Sequence, residues 1–230
     1  MSNLSPTVLD AMRHVGVLLQ TGDFRGARDR LQAIVEQHPD YAEALRLLGG
    51  VRLALGDNEG AEALLRKAVA VDPGWAPSLA TLGELLLNSG RQDEAVPLLQ
   101  RAAQRMPHAA LLLARYYNDR QRPAEALVIA APLCASGQAP AELVTQHVAA
   151  LAALGRQNEA VGFYRKLLDA SPDNPAIAHA LAIALAAASQ HAEAERATDH
   201  ALASGHKTAA VYFTHANSQI ALGEFEHAET

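Results

Sequence analysis

The sequence predicts an all-α fold built as a solenoid of antiparallel helix pairs, and three observations carry this. Ala and Leu dominate a chain that is 50% hydrophobic but only 4% aromatic. These are strong helix formers, and the β-branched and aromatic runs of strands are missing. The stretch Gly-Arg-Gln-Asp-Glu-Ala-Val at 90–96 returns as Gly-Arg-Gln-Asn-Glu-Ala-Val at 155–161. Alanines also stand in register at Ala27, Ala61, Ala95, Ala126, Ala160, Ala194 and Ala228, with steps of 34, 34, 31, 34, 34 and 34 residues. A fixed period of this size marks units that bury their apolar faces against one another.

The units run over residues 8–41, 42–75, 76–106, 107–140, 141–174 and 175–208, with a partial seventh at 209–230, all in a single domain spanning 1–230. Within 42–75, apolar residues recur three or four apart on both sides of a central Gly-Asp-Asn, so each copy reads as two helices. Gly56 ends the first helix, where a left-handed residue costs glycine little, and Asp57 or Asn58 caps the second. The equivalent turn positions are Gly22, Gly90, Gln121, Gly155, Ser189 and Gly223. Pro39, Pro73, Pro107 and Pro172 stop second helices, with Gln138 and His206 standing where the proline is missing. At the start, Ser5-Pro6 is a cap followed by proline in the first turn. Gly49 and Gly83 on first helices are expected to face Ala61 and Ala95 on second helices at close range. Val15 and Val148 hold the same place and predict a looser fit.

These positions resemble the tetratricopeptide repeat family over residues 8–230: the 34-residue spacing, the mid-repeat glycine, the alanine of Glu-Ala-Val and the closing proline. The fourth copy departs in its shortened junction and missing glycine, and the sixth lacks both glycine and proline. The resemblance implies a right-handed superhelix whose first helices line a concave groove, where a partner's peptide or helix lies. It also implies that the second, fifth, ninth, twelfth and thirteenth places of each copy point into that groove. On this sequence the partner-binding candidates are Arg46, Glu84, Asn88, Arg115, Asn118, Asp119, Phe213 and Asn217. From the fifth copy on, the lining turns small and apolar, with Thr145, Ala149, His179, Ile183 and Ala186. The groove is therefore expected to be polar in its first half and smoother in its second. An amphipathic or extended peptide suits it, with Arg46, Arg115 and Asn118 supplying hydrogen bonds. No lysine stands at these places, which argues against the family's clamp on a C-terminal carboxylate, and Asn88, Asn118 and Asn217 form no continuous ladder.

Composition excludes several other functions. The net charge is −6, and only Lys67, Lys166 and Lys207 accompany the arginines, so nucleic acid is not an expected partner. The longest apolar run, 180–188, is too short to span a bilayer. The start carries no basic leader, so a cytoplasmic protein is expected; a leader already removed would place it in the periplasm. Cys134 is the single cysteine, which rules out an internal disulfide, and it reads as a small buried hydrophobe. His108, His147, His179, His191, His200, His206 and His215 show no metal-ligand spacing, and no nucleophile or phosphate-loop motif is present. Neither cofactor nor metal is expected.

A protein–protein interaction module acting as scaffold or adaptor is the function these readings support, without enzymatic activity of its own. The alternative is a substrate-recruiting arm of a larger enzyme, of transferase or oxygenase type, with its catalytic domain beyond Thr230. The last residues, Gly-Glu-Phe-Glu-His-Ala-Glu-Thr, end inside the second helix of the seventh copy without a polar cap. Self-association through that uncapped helix is the corresponding expectation.

Overall fold

The computed structural model describes residues 6–137 and 139–223. Ser5, Gln138 and Ala228 lie outside the described residues, as does the second helix of the seventh copy. Among the described residues the chain forms thirteen helices and no strand. They are α1 (Pro6–Gln20), α2 (Phe24–Gln37), α3 (Ala42–Ala54), α4 (Asn58–Val71), α5 (Ala76–Asn88), α6 (Gln92–Ala103) and α7 (Pro107–Asp119). The remainder are α8 (Pro123–Ala135), α9 (Ala141–Ala153), α10 (Gln157–Ala170), α11 (Pro175–Ala187), α12 (His191–Ala203) and α13 (Ala209–Leu222). Two compact units divide the chain, one up to Ala109 and one from Ala110 on. Short links return each helix alongside the one before it, from α1 to α6 in the first unit and from α8 to α13 in the second. First helices also touch one another, α3 with α5 in the first unit, and α9 with α11 and α11 with α13 in the second.

The place held by Gly49 and Gly83 sets how closely a pair can approach. A Cβ at Gly49 would stand 2.8 Å from Leu65 Cγ and 3.3 Å from the Ala61 carbonyl oxygen. At Gly83 the corresponding distances are 2.7 Å to Leu99 Cγ and 3.4 Å to the Ala95 oxygen. Leu65, Leu99, Ala61 and Ala95 are fully buried, so none can move aside. Val15 and Val148 hold the same place and are buried too, at 0% and 3% exposure. Their pairs, α1–α2 and α9–α10, share a less extensive contact than α3–α4, α5–α6 or α11–α12, the last having the small Ala182 there. Branched side chains at this place hold the backbones apart.

Every helix pair turns through the same geometry. The second residue after the first helix takes a left-handed backbone: Gly22, Gly56, Gly90 and Gly155 at φ 71–85°, but also Gln121 at 57° and Ser189 at 59°. The next amide closes back onto the helix, with Arg91 N–H donating to the Leu86 carbonyl at 2.8 Å. Arg122 N–H donates to Tyr117 in the same way, and Gln190 N–H to Leu185. Losing the glycine therefore does not change the turn; the helices on either side impose it on Gln121 and Ser189 at the cost of backbone strain. The 31-residue step is absorbed just beforehand: α6 has 12 residues where α4 has 14. The link to α7 is also one residue shorter than those at 38–41 and 72–75. Pro107, expected to stop α6, instead opens α7, where a missing N–H costs nothing.

The repeated heptad finds its reason at the start of the second helix. Asp23 and Asp57 cap α2 and α4 by accepting from the Gly26 and Gly60 amides, both at 2.9 Å. Arg91, Arg122 and Arg156 occupy the capping place elsewhere and offer no acceptor. Their guanidinium groups instead donate to the glutamate three residues on, Glu94, Glu125 and Glu159, each at 2.8 Å. Those carboxylates also sit in the first turn, where the exposed amides favour negative charge.

Replacing Gly83 with alanine should overpack α5 against α6 and lower stability by about 1–3 kcal/mol, measured by chemical denaturation. A cost near zero would show that the pair can spread. Gln121→Gly and Ser189→Gly should each raise stability by roughly 0.5–1 kcal/mol, relieved strain exceeding added chain entropy, so the double variant should melt a few degrees higher.

Candidate functional site

Second helices are tied to each other by ion pairs, which leaves the first-helix faces to form concavities. Arg66 bridges Glu62 and Glu94 at 2.9 and 2.7 Å, and Arg91 reaches the same two carboxylates, each at 2.7 Å. This square joins α4 to α6, with both carboxyl groups held below their ordinary range by hydrogen bonds from the two arginines. In the second unit Arg165 pairs with Glu193 at 2.8 Å and joins α10 to α12.

In the first unit, a polar cavity of about 400 Å³ opens beside α5, lined by Leu53, Asn58, Thr81, Glu84, Leu85, Asn88 and Ser89. The Thr81 and Ser89 hydroxyls are spent on the Pro77 and Leu85 carbonyls. Glu84 meets His108 Nε2 at 3.1 Å, and Asn88 is exposed. Arg46 does not line this cavity. Its guanidinium lies 5.4 Å from the Trp75 ring centroid, and its Nε is buried without a protein partner. Burial lowers its pKa, opposed by nearby Glu43.

Two adjoining cavities in the second unit follow the first-helix row α9, α11 and α13. The larger, about 450 Å³, reaches the link before α13 at His206 and Thr208. The smaller, about 260 Å³, carries Thr145, His179, Ile183, Ala186, Phe213 and Asn217. Both share Ala141, Glu142, His179, Ile183 and Ala210, so they form one continuous groove. Phe213 stands on its wall with 69% of its surface exposed. His179 forms the floor at 2% exposure, its Nε2 3.1 Å from Thr214 Oγ1. The threonine proton goes to the Ala210 carbonyl at 2.9 Å, so the imidazole is the donor in the first bond. Burial, with the His206 ring beside it, pushes the His179 pKa down and keeps the ring neutral.

The remaining candidates stand apart from this groove. Asn118 donates its amide to the carbonyl and the side-chain oxygen of Gln146, at 3.0 and 2.9 Å, and so ties α7 to α9. Arg115 and Asp119 are exposed on α7. Sequence reasoning passed over Glu142, although it stands at the second place of its copy, a place the repeat pattern includes. It also passed over Ala176, at the second place of the next copy, and over Ala209 and the 206–208 link, which enter only through the packing of α11 against α13.

Beneath the groove the second unit buries a polar chain. His147 Nδ1 lies 2.8 Å from Tyr164 Oη, and Tyr164 also bonds Cys134. The arrangement that satisfies all three has the tyrosine donating to the imidazole and accepting from the thiol. The Phe163 and Tyr164 rings enclose the imidazole at 5.3 and 5.7 Å. Burial pushes the Cys134 thiol up to about 11, far from a nucleophile's range, and pushes the His147 pKa down to about 4. Among the described residues no three His, Cys, Asp or Glu side chains stand where they could hold a metal, and no helix is long and apolar enough to cross a membrane.

Residues 14–75 and 76–207 match two family models, each described as a tetratricopeptide repeat. The chain belongs to the tetratricopeptide repeat family. None of the curated proteins matches it in sequence. Among solved structures, this tetratricopeptide repeat chain is similar to a tetratricopeptide repeat protein from Parabacteroides merdae, at 15% identity and TM-score 0.65, over 97% of this chain and 90% of that one. It is also similar to pilF of Pseudomonas aeruginosa, at 19% identity and TM-score 0.53, over 95% and 85%. A third neighbour is YrrB, a protein of the family with an unusual peptide-binding site, at 16% identity and TM-score 0.52, over 81% and 98%. At these identities the likeness is one of fold.

His147 makes the second unit pH-sensitive. Its ordinary pKa of 6.5 falls to about 4 in the folded chain, so between those values the unfolded state takes up a proton that the folded state refuses. The stability this site contributes is intact above pH 6.5 and lost as pH falls toward 4, by up to about 1.4 kcal/mol per pH unit. Melting curves of the protein and of His147→Gln over that window should differ in slope, the variant being flatter. Parallel slopes would contradict the assignment.

Proposed function

We propose that this chain is a protein-binding scaffold that holds a segment of a partner on the first-helix face of its second unit. One observation carries the reading: α9, α11 and α13 build a continuous groove of small apolar residues on which Phe213 stands largely exposed. An aromatic ring beside a pocket is the kind of anchor that dominates binding energy, because contact area is gained there at low entropic cost. The polar cavity of the first unit, with Glu84 and Asn88, offers a second contact region of different character. Membership in the tetratricopeptide repeat family and the fold shared with YrrB, whose peptide-binding site is known, support the same reading. Whether the chain acts alone as an adaptor or as the recruiting arm of a larger protein, the groove is the working part.

Photo-crosslinking inside the producing cell tests this. A benzophenone side chain at Phe213 or Asn217 should capture a discrete protein, whereas the same group at exposed Val128 on α8 should capture none. Adducts at Val128 with nothing at 213 or 217 would move the binding face off the first helices.

A further inference from the structure

The groove of the second unit has an inventory of polar groups that selects its occupant. Three of those groups are already engaged. The Thr145 hydroxyl donates to the Ala141 carbonyl at 2.9 Å, the Thr214 hydroxyl to Ala210, and His179 to Thr214. Glu142, Asn217, His206 and Thr208 are what the lining has left to offer. An extended peptide laid along it would bury backbone amides and carbonyls against alanines that cannot answer them, at a cost for each unpaired group. A helix satisfies its own backbone and presents only side chains. The small lining residues, Ala141, Ala176, Ala180, Ala186 and Ala210 among them, leave room for a helix to come close.

Charge narrows the choice further. Glu142 is the one carboxylate in the lining of both cavities, and no lysine or arginine lines either. It is exposed, and among the described residues its carboxylate has no ion pair or hydrogen bond. Opposite Glu142, on the far side of the groove, stands the apolar wall of α13 with Phe213.

We propose that the α9–α11–α13 groove takes an amphipathic helix whose apolar stripe packs on Ile183 and Phe213 and whose lysine or arginine, flanking that stripe, pairs with Glu142. This deepens the scaffold reading and rests on it. The apolar stripe supplies affinity, and the cation sets the direction in which the helix lies and rejects acidic competitors.

Selection from a random peptide library of about 16 residues, some four helical turns, displayed on phage and panned on the purified whole chain, tests it. Enriched sequences should carry apolar residues at i, i+4 spacing, an excess of Lys or Arg beside them, and no central proline. Glu142→Gln should weaken those peptides about 2- to 5-fold, a difference that disappears at roughly 0.5 M salt. Phe213→Ser, an exposed change, should weaken them about 10-fold. Peptides rich in proline or acidic residues, or indifferent to Glu142→Gln while still sensitive to Phe213→Ser, would overturn the cationic helix and leave the groove standing. Peptides indifferent to Phe213→Ser, or no enrichment at all, would overturn both readings. A chain that binds no peptide but forms a dimer that Phe213→Ser dissociates would assign the groove to a second copy instead.

Discussion

The backbones of a helix pair can come together only as far as one residue on the first helix permits, and most of the architecture follows from that distance. Where the residue is Gly49 or Gly83, the leucine of the second helix fills the space a side chain would need, and the facing carbonyl lies just behind it. Where it is Val15 or Val148, the pair stands wider. Helices of 12–15 residues are marginal in isolation, so the burial gained at this contact, and at the matching contact with the next pair, is what keeps them helical. The turn has to deliver the second helix onto that contact. For this reason Gln121 and Ser189 accept a left-handed backbone rather than letting the helix re-aim.

The contact also divides the labour between the two kinds of helix. Second helices carry the square of Arg66, Glu62, Arg91 and Glu94, and the Arg165–Glu193 pair, all partly exposed and screened by water. First helices of the second unit carry alanines and a neutral, buried His179 instead. A charged group on their floor would lose its hydration without gaining a partner, so burial holds the imidazole neutral, and the face stays apolar enough to receive another apolar surface. Under it, the chain of Cys134, Tyr164 and His147 satisfies three polar groups with one another. Each of the three comes from a different helix, α8, α10 and α9, so the chain pins their relative rotation as well.

Much of this could be read directly from residues. The period, the helix pair, the turn positions and the meeting of Gly49 with Ala61 follow from spacing and side-chain size, because a backbone contact that admits only hydrogen marks its copies with a glycine at one fixed place. The loosening at Val15 and Val148 was legible for the same reason. Less legible was Arg46. Its place in the repeat suggested an outward hydrogen-bond donor, but the one tryptophan, 29 positions on, lies under its guanidinium. Asn118 was drawn off in the same way by Gln146. Local pattern reports which way a side chain leaves its helix and says nothing of what a neighbouring copy puts in its path.

By itself the sequence determined the fold class, the family and the register of every turn, since those rest on local propensity and on a repeated size constraint. Tertiary structure alone decided which of the first-helix residues share a cavity. Phe213 and Asn217 share one groove with Glu142 and Ile183, while Glu84 and Asn88 line a different cavity in the other unit. A groove is made by the packing of α9 and α13 on either side of α11. Its shape and its one unpaired carboxylate depend on how far apart those three helices sit, a distance that the buried residues between them set jointly and that no single position encodes.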